Sequence, residues 1–308
     1  MDNVNFLITG GAGFIGSHLV DRLLSSRNNK VIVFDNLHRG RLENISHHIE
    51  NPRFKFIKGD LRKYSEIKEA VQGMDFIFHL GAQSNIMGAV IDPDYSFKTN
   101  VIGTYNVLKA ASTNKIQKVI FSSSREVYGE PEEIPVREDA PCRSKNPYGA
   151  SKIAGELYCS VFHSIFNLNI AILRFSNVYG SRDFDRVIPL WIEKAKKNEK
   201  LNLYGANKII DFISVEKAVE ALIQSAYSET GPSPINIGSG KGTNILDLAY
   251  KILALTKSRS EINLLPPREI EVNNYVADVT LMSSLLGILP PSDPLDNLMY
   301  LSNSTFAN

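Results

Sequence analysis

The sequence predicts an α/β fold: a doubly wound parallel sheet with a smaller, interleaved C-terminal lobe. Two observations carry this expectation. Apolar runs of strand length alternate with stretches of helical periodicity up to about residue 180. Beyond that point the alternation gives way to shorter, mixed elements. A βαβ rhythm calls for a parallel sheet covered by helices on both faces, and 308 residues suffice for one large domain or two lobes.

Residues 4–9 read as the first strand and 17–24 as the first helix, joined by Gly10-Gly11-Ala12-Gly13-Phe14-Ile15-Gly16. This turn reads both as G-x-G-x-x-G and as G-x-x-G-x-x-G. Glycines there allow the tight turn, let the backbone approach a pyrophosphate and let the helix pack close to the sheet, while the helix N-terminus offers free N–H groups to phosphate. Residues 31–34 form a second strand ending in Asp35, near the expected spacing of about 20 residues after the glycines. A carboxylate at that place bonds both ribose hydroxyls of an adenosine and repels a 2′-phosphate, which favours NAD over NADP. Arg39 and Arg41 lie nearby and soften that preference. The turn is thus expected to be of the dinucleotide-binding Rossmann type.

Further strands are expected at 53–57, 76–80, 118–122 and 170–174, with helices at 63–71, 95–112 and 148–166. Downstream, 183–197 reads as a helix and 201–204 as a short strand. Residues 212–227 hold a strand end and a helix, 235–238 is a short strand, and 245–255 is an amphipathic helix. Pro266-Pro267-Arg268 opens a loop, and the remainder is rich in Ser, Pro and Asn. The expected division is a dinucleotide-binding domain over 1–180, with 208–238 returning to it, and a substrate-binding lobe from 181–207 and 239–308.

Composition narrows the class. Hydrophobic residues make up 43% and charged residues 22%, ordinary for a soluble globular chain. A formal net charge of +1 gives no basic field for nucleic acid or anionic membrane. Cys142 and Cys159 show no metal or redox spacing and suit a reducing, cytoplasmic setting. The first strand begins too early to leave room for a signal peptide, and no apolar run is long enough to span a bilayer. No metal site is expected.

Tyr148 and Lys152 stand four apart at the start of a helical stretch opened by Pro147, so they share one face. Ser122-Ser123-Ser124 follows the fifth strand at the carboxyl edge of the sheet, where ligands of such sheets bind. A phenol with an ordinary pKa of about 10 needs help to act as a base near neutrality. A lysine ammonium and a nicotinamide cation favour the phenolate, and a serine hydroxyl can hold the substrate oxygen. These residues together suit hydride transfer, with the tyrosine taking the alcohol proton. A Y-x-x-x-K pair also occurs on solvated helix faces; the dinucleotide turn upstream is what favours the catalytic reading.

The chain resembles the extended short-chain dehydrogenase/reductases of the NAD-dependent nucleotide-sugar epimerase/dehydratase family. The resemblance rests on Ile8-Thr9-Gly10-Gly11-Ala12-Gly13-Phe14-Ile15-Gly16, Gly59-Asp60-Leu61, His79-Leu80-Gly81-Ala82-Gln83, Phe121-Ser122-Ser123-Ser124, Tyr148-Gly149-Ala150-Ser151-Lys152 and Asn177-Val178-Tyr179-Gly180. It implies NAD held by Gly10, Gly13, Phe14, Ile15, Gly16, Asp35 and Asn36, with Asp60 and Leu61 at the adenine. Leu80, Gly81, Ala82 and Asn100 would follow along the dinucleotide, and Ser122, Tyr148 and Lys152 would complete its site. Ser124, Tyr148 and Lys152 would be the catalytic set, with Glu126 added. Gln83, Ser84, Arg125, Asn177, Arg186, Tyr204 and Arg268 would meet the nucleotide sugar. It also implies a homodimer built on the helices at 95–112 and 148–166.

Two departures bear on the reaction. Family members usually carry Arg-Asp-Phe where this chain has Ile210-Asp211-Phe212, and Lys208 or Arg186 is the expected substitute for that diphosphate-binding arginine. Arg125-Glu126 stands where dehydratases carry Asp-Glu, decarboxylases Ser-Glu and 4-epimerases small residues. The plain alternative for this pair is an ion pair at the rim, which is nearly neutral in energy. With the elimination pair incomplete, the expected activity is 4-epimerisation of a UDP-sugar through a transient 4-keto sugar. A 4,6-dehydratase, a decarboxylase and a non-catalytic NAD-binding regulator on the same fold remain as alternatives.

Overall fold

The computed structural model describes residues 4–303. Its first half follows the expected alternation: β1 (Asn5–Thr9), α1 (Phe14–Leu24), β2 (Lys30–Asp35), β3 (Phe54–Lys58), α2 (Tyr64–Ala70) and β4 (Phe76–His79). Next come α3 (Ile86–Ile91), α4 (Pro93–Phe97), a π-helical turn (Lys98–Ile102) and α5 (Gly103–Thr113). The helix expected at 95–112 is therefore interrupted. The wider turn buries Thr99, Asn100 and Val101, the kind of local deformation often found at functional sites. β5 (Lys118–Ser124), α6 (Pro147–Phe166) and β6 (Ile170–Phe175) complete this half.

The chain then passes through β7 (Asn177–Tyr179), α7 (Val187–Lys196), β8 (Leu201–Tyr204), β9 (Ile209–Ser214), α8 (Val215–Tyr227) and β10 (Pro234–Ile237). It ends with β11 (Gly242–Asn244), α9 (Ile245–Thr256), β12 (Ile262–Leu265), β13 (Asn274–Tyr275), α10 (Thr280–Leu286) and α11 (Leu298–Asn303).

Seven strands form one parallel sheet in the order β10-β6-β5-β4-β1-β2-β3. Chain direction reverses its walk across the sheet between β1 and β4, and this switch point leaves a crevice at the carboxyl ends of those strands. Alternate residues of each strand feed opposite faces. Phe6 and Ile8 pack with α1, α8 and α10, whereas Leu7 packs with α2, α5 and α6. Each such fully buried aliphatic or aromatic side chain contributes about 1.5–3 kcal/mol. β6 is buried at every position, as a central parallel strand requires.

A second sheet, with β9 paired to β7, β11 and β13, and the β8–β12 pair carry the smaller lobe. Its own core gathers Trp191, Ile192, Phe212, Leu248 and Leu298. Within 208–238, β10 joins the main sheet and α8 packs on it, while β9 pairs in the second sheet and sends Ile213 into the main core. Within 239–308, α10 returns to the main core through Met282 and Leu286. The apolar spacing of α10 is short and set in a Ser-rich stretch, which hid it.

Candidate active site

A cleft of about 550 Å³ opens at the switch point, within the range of roughly 300–1,000 Å³ usual for small-molecule sites. The glycine turn forms one wall. Gly10 has φ +72°, and a Cβ there would lie 2.7 Å from the Gly81 nitrogen; at Gly16 it would lie 2.3 Å from the Gly10 carbonyl oxygen. Both contacts are with rigid backbone, so only glycine fits. α1 starts at Phe14 with Gly13 as its cap and no side-chain capping bond. Its first N–H groups are thus available where Gly13, Phe14, Ile15 and Gly16 line the cleft, a cradle that fits a pyrophosphate.

Asp35 closes the end of β2. Its Oδ2 accepts from the Ala12 N–H at 3.1 Å and its Oδ1 from the Leu37 N–H at 2.8 Å. Burial nevertheless raises its pKa above the usual carboxylate value. Arg39 is paired with Asp185 at 2.7 Å, and the Arg41 guanidinium lies over the Phe184 ring at 3.8 Å. Both arginines are drawn to the loop beyond β7, so their expected pull toward a 2′-phosphate is spent on this chain's own groups. Asn36 Nδ2 donates to the Tyr95 hydroxyl at 3.2 Å. Asp60 is held by the Arg62 fork, with Nε 2.9 Å from Oδ1. Asp60, Leu61, Leu80, Gly81, Ala82 and Ser84 continue the lining. These residues fit an NAD molecule laid across the crevice.

At the middle of the cleft, Ser122 and Ser124 come from β5 and Tyr148 and Lys152 from α6. α6 is started by Pro147 and capped by Asn146, whose Oδ1 accepts from the Gly149 N–H at 2.9 Å. Lys152 is buried, donates from Nζ to the Ser122 carbonyl at 2.7 Å and lies 5.8 Å from the Tyr148 ring centroid. Burial lowers its pKa to about 8. Burial raises the Tyr148 phenol, partly offset by its hydrogen bond with Ser124. The Lys152 ammonium is turned to the Ser122 carbonyl.

Arg125 and Glu126 are buried, 8% and 3% exposed, rather than a solvated pair at the rim. They ride on a 3-10 turn (Arg125–Val127) capped by Ser124, whose Oγ accepts from the Glu126 N–H at 3.2 Å. Arg125 Nη2 meets Glu126 Oε1 at 3.1 Å, and Arg125 Nε donates to Asn177 Oδ1 at 2.6 Å. Asn146 Nδ2 donates to Glu126 Oε2 at 2.8 Å. Both carboxylate oxygens are occupied.

The far end of the cleft holds Tyr204, Lys208, Arg268 and Glu271. Glu271 accepts from Lys208 at 2.6 Å and from Arg268 at 3.0 Å, and the Arg268 guanidinium stacks 3.8 Å above the Tyr204 ring. Of the two candidates to replace the arginine absent at Ile210, Lys208 lies here. Arg186 lies at the other side, 5.4 Å from the Phe14 ring centroid. Ile210 itself belongs to the core of the small lobe.

Gln83 and Asn100 are buried and bonded to each other beside the cleft-lining Ala82 and Ser84. Asn100 Oδ1 accepts from the Gln83 N–H at 2.7 Å, and its Nδ2 donates to the Gln83 carbonyl at 3.0 Å and to Ser151 Oγ at 2.9 Å. Asn100 thus stitches the π-turn to the loop after β4 and to α6. The cleft also includes Asp183, buried to 2% exposure, whose pKa burial raises to about 6. The charge-dense run Ser181–Arg186 after Tyr179-Gly180 was the signal for it; its burial is a tertiary effect.

The NAD dependent epimerase/dehydratase family model matches residues 6–238. A UDP-glucose 4-epimerase from Mycolicibacterium smegmatis is 31% identical over 296 residues, covering 92% of this chain and 93% of that one. Among solved structures, the UDP-N-acetylglucosamine 4-epimerase from Methanobrevibacter ruminantium M1, in complex with UDP-N-acetylmuramic acid, superposes with a TM-score of 0.91 at 32% identity over 98% of this chain and 97% of that one. A dTDP-glucose 4,6-dehydratase from Streptomyces venezuelae with NAD bound gives 0.92 at 27% identity, covering 97% and 96%. With its glycine turn, Asp35 and the Ser124, Tyr148 and Lys152 group in one crevice, the chain belongs to the NAD dependent epimerase/dehydratase family.

Proposed function

We propose that this protein interconverts the C4 epimers of a UDP-linked hexose through a transient 4-keto sugar. When bound, NAD supplies a reversible hydride acceptor. Tyr148 takes the C4 hydroxyl proton while Ser124 holds that oxygen, and Tyr148 returns the proton after the keto sugar has turned over. Lys152 fixes the Ser122 backbone beside them. Lys208 and Arg268, which share Glu271, would turn to the substrate diphosphate, and Tyr204, released from Arg268, would meet the base. Asn177 and Ser84 would contact the sugar side.

The observation that carries the choice of epimerase is the state of Glu126. Elimination across C5 and C6 needs a carboxylate free to remove the C5 proton. Here one oxygen of Glu126 is held by Arg125 and the other by Asn146, and an arginine replaces the neighbouring acid. The reaction with a panel of nucleotide sugars in deuterated water, followed by NMR, tests this. The expected product is the 4-epimer without deuterium at C5. Glu126→Gln should change turnover by less than about tenfold, whereas loss of a general base removes roughly 10²–10⁴-fold. Deuterium at C5 together with collapse of turnover in Glu126→Gln would replace this reading with a dehydratase.

We also propose the two-lobe division at about residue 180, a cytoplasmic location and a homodimer. The two cysteines are unpaired, and no helix among the described residues is long and apolar enough to cross a membrane. The dimer reading is supported by Leu157, Val161 and Ile165, exposed at four-residue spacing along α6, with Tyr105 exposed on the neighbouring α5.

A further inference from the structure

Outside the cleft, three ligand-bearing side chains from separate parts of the chain converge. Asp21 lies on α1, and His47 and His48 lie on the 3-10 turn (Ser46–His48) between β2 and β3. His47 Nε2 and His48 Nε2 lie 2.8 Å and 2.7 Å from the same Asp21 oxygen, Oδ1. The three donor atoms all lie within 4.8 Å of one another. We propose that Asp21, His47 and His48 form a binding site for a divalent transition-metal ion of the zinc class.

The donor set selects the ion. Imidazole nitrogen and carboxylate oxygen bind zinc at about 2.0–2.2 Å, and three protein ligands leave a fourth position for water. Two nitrogen donors disfavour magnesium and calcium, which take oxygen. The two imidazoles meet the carboxylate through Nε2, so each holds a proton there that the ion must displace. A neutral ring keeps that proton by moving it to Nδ1, and a charged ring releases one of its two.

The scaffold is built for the purpose at two points. His48 is half-buried, its ring 5.8 Å from that of Phe54 and 4.1 Å from that of His47. Buried Ile45 anchors the turn beneath it. Arg182 Nη2 meets the other Asp21 oxygen at 2.7 Å. An outer hydrogen bond of this kind orients a carboxylate ligand, while the guanidinium charge moderates the affinity. Arg182 also lines the cleft, so the site touches the catalytic side of the molecule through one residue.

The full chain titrated with Co²⁺, followed by visible d–d absorption, and with Zn²⁺, followed by calorimetry, tests the site. One ion per chain should bind, Mg²⁺ in excess should not compete, and His47→Gln and His48→Gln should each weaken binding at least about tenfold. His38→Gln should leave it unchanged. The melting temperature should rise with Co²⁺ in the unmodified protein and not in the two variants. His47 is exposed, so His47→Gln keeps the fold and decides the matter if His48→Gln does not. Absence of saturable binding, or binding unaltered in His47→Gln, would overturn the proposal.

Discussion

Tyr148 is the residue whose chemistry can be isolated most cleanly. Removing its hydroxyl leaves Ser124, Lys152 and the nucleotide-binding wall in place. Tyr148→Phe should therefore retain NAD by calorimetry and lose about 10²–10⁴-fold in turnover, since the proton has no other carrier. Wild-type turnover in this variant would remove the assigned role. Asp35 supports a second test. It lines the cleft, and the flanking Arg39 and Arg41 are engaged by Asp185 and Phe184. Asp35→Ala should weaken NAD far more than NADP, and an unmodified protein that binds NADP the more tightly would contradict the assignment.

At the scale of elements, α6 does two jobs on two faces. One face presents Tyr148 and Lys152 to the cleft, and its buried Cys159 and Phe162 join the core of the main sheet. The other presents Leu157, Val161 and Ile165 to solvent. Val161→Glu should convert the proposed dimer to a monomer in sedimentation with an unchanged circular dichroism spectrum; a monomeric unmodified protein would dispose of that interface. The same helix shows what a sequence can and cannot reveal. Its start at Pro147 and the Tyr148–Lys152 spacing are local, and so were readable. The bond from Asn146, the cap of that helix, to Glu126 depends on residues 20 positions apart meeting. Likewise β7, β11 and β13, of two or three residues each, exist only through pairing with β9, and no local periodicity marks them. The bonds from the Asn100 side chain to the Gln83 backbone and to Ser151 likewise join residues far apart in sequence.

Across the whole molecule, the sheet is held at its centre by a polar residue, and this sets the protein's response to acid. His79 ends β4, between β1 and β5, and is 2% exposed. Thr104 Oγ1 donates to the Asn100 carbonyl at 2.6 Å, so it can only accept from His79 Nε2 at 2.9 Å. Nδ1 then accepts from Thr9 Oγ1 at 2.7 Å, and Thr9 Oγ1 accepts from the Gly81 N–H at 3.1 Å. The neutral ring thereby joins β1, β4, α5 and the loop at the nucleotide wall. Burial lowers its pKa from 6.5 to about 3, with the Lys152 charge adding to the effect. Because the folded pKa lies below the unfolded one, the unfolded chain binds the proton first. Stability from this group is complete above about pH 6.5 and is lost as pH falls toward 3. At pH 5 the loss is about 2 kcal/mol. Asp183, raised to about 6 from 3.8, works in the opposite sense over an overlapping range, as do Asp35, Glu138 and Asp211, also raised by burial, so the acid limb of the intact protein sums opposed contributions. Substitution separates them. His79→Gln keeps a donor and an acceptor but cannot be protonated. Between pH 7.5 and pH 5, denaturant unfolding should show the unmodified protein losing about 2 kcal/mol more stability than His79→Gln. Equal losses would mean that the ring is not held neutral by its burial at the centre of the sheet.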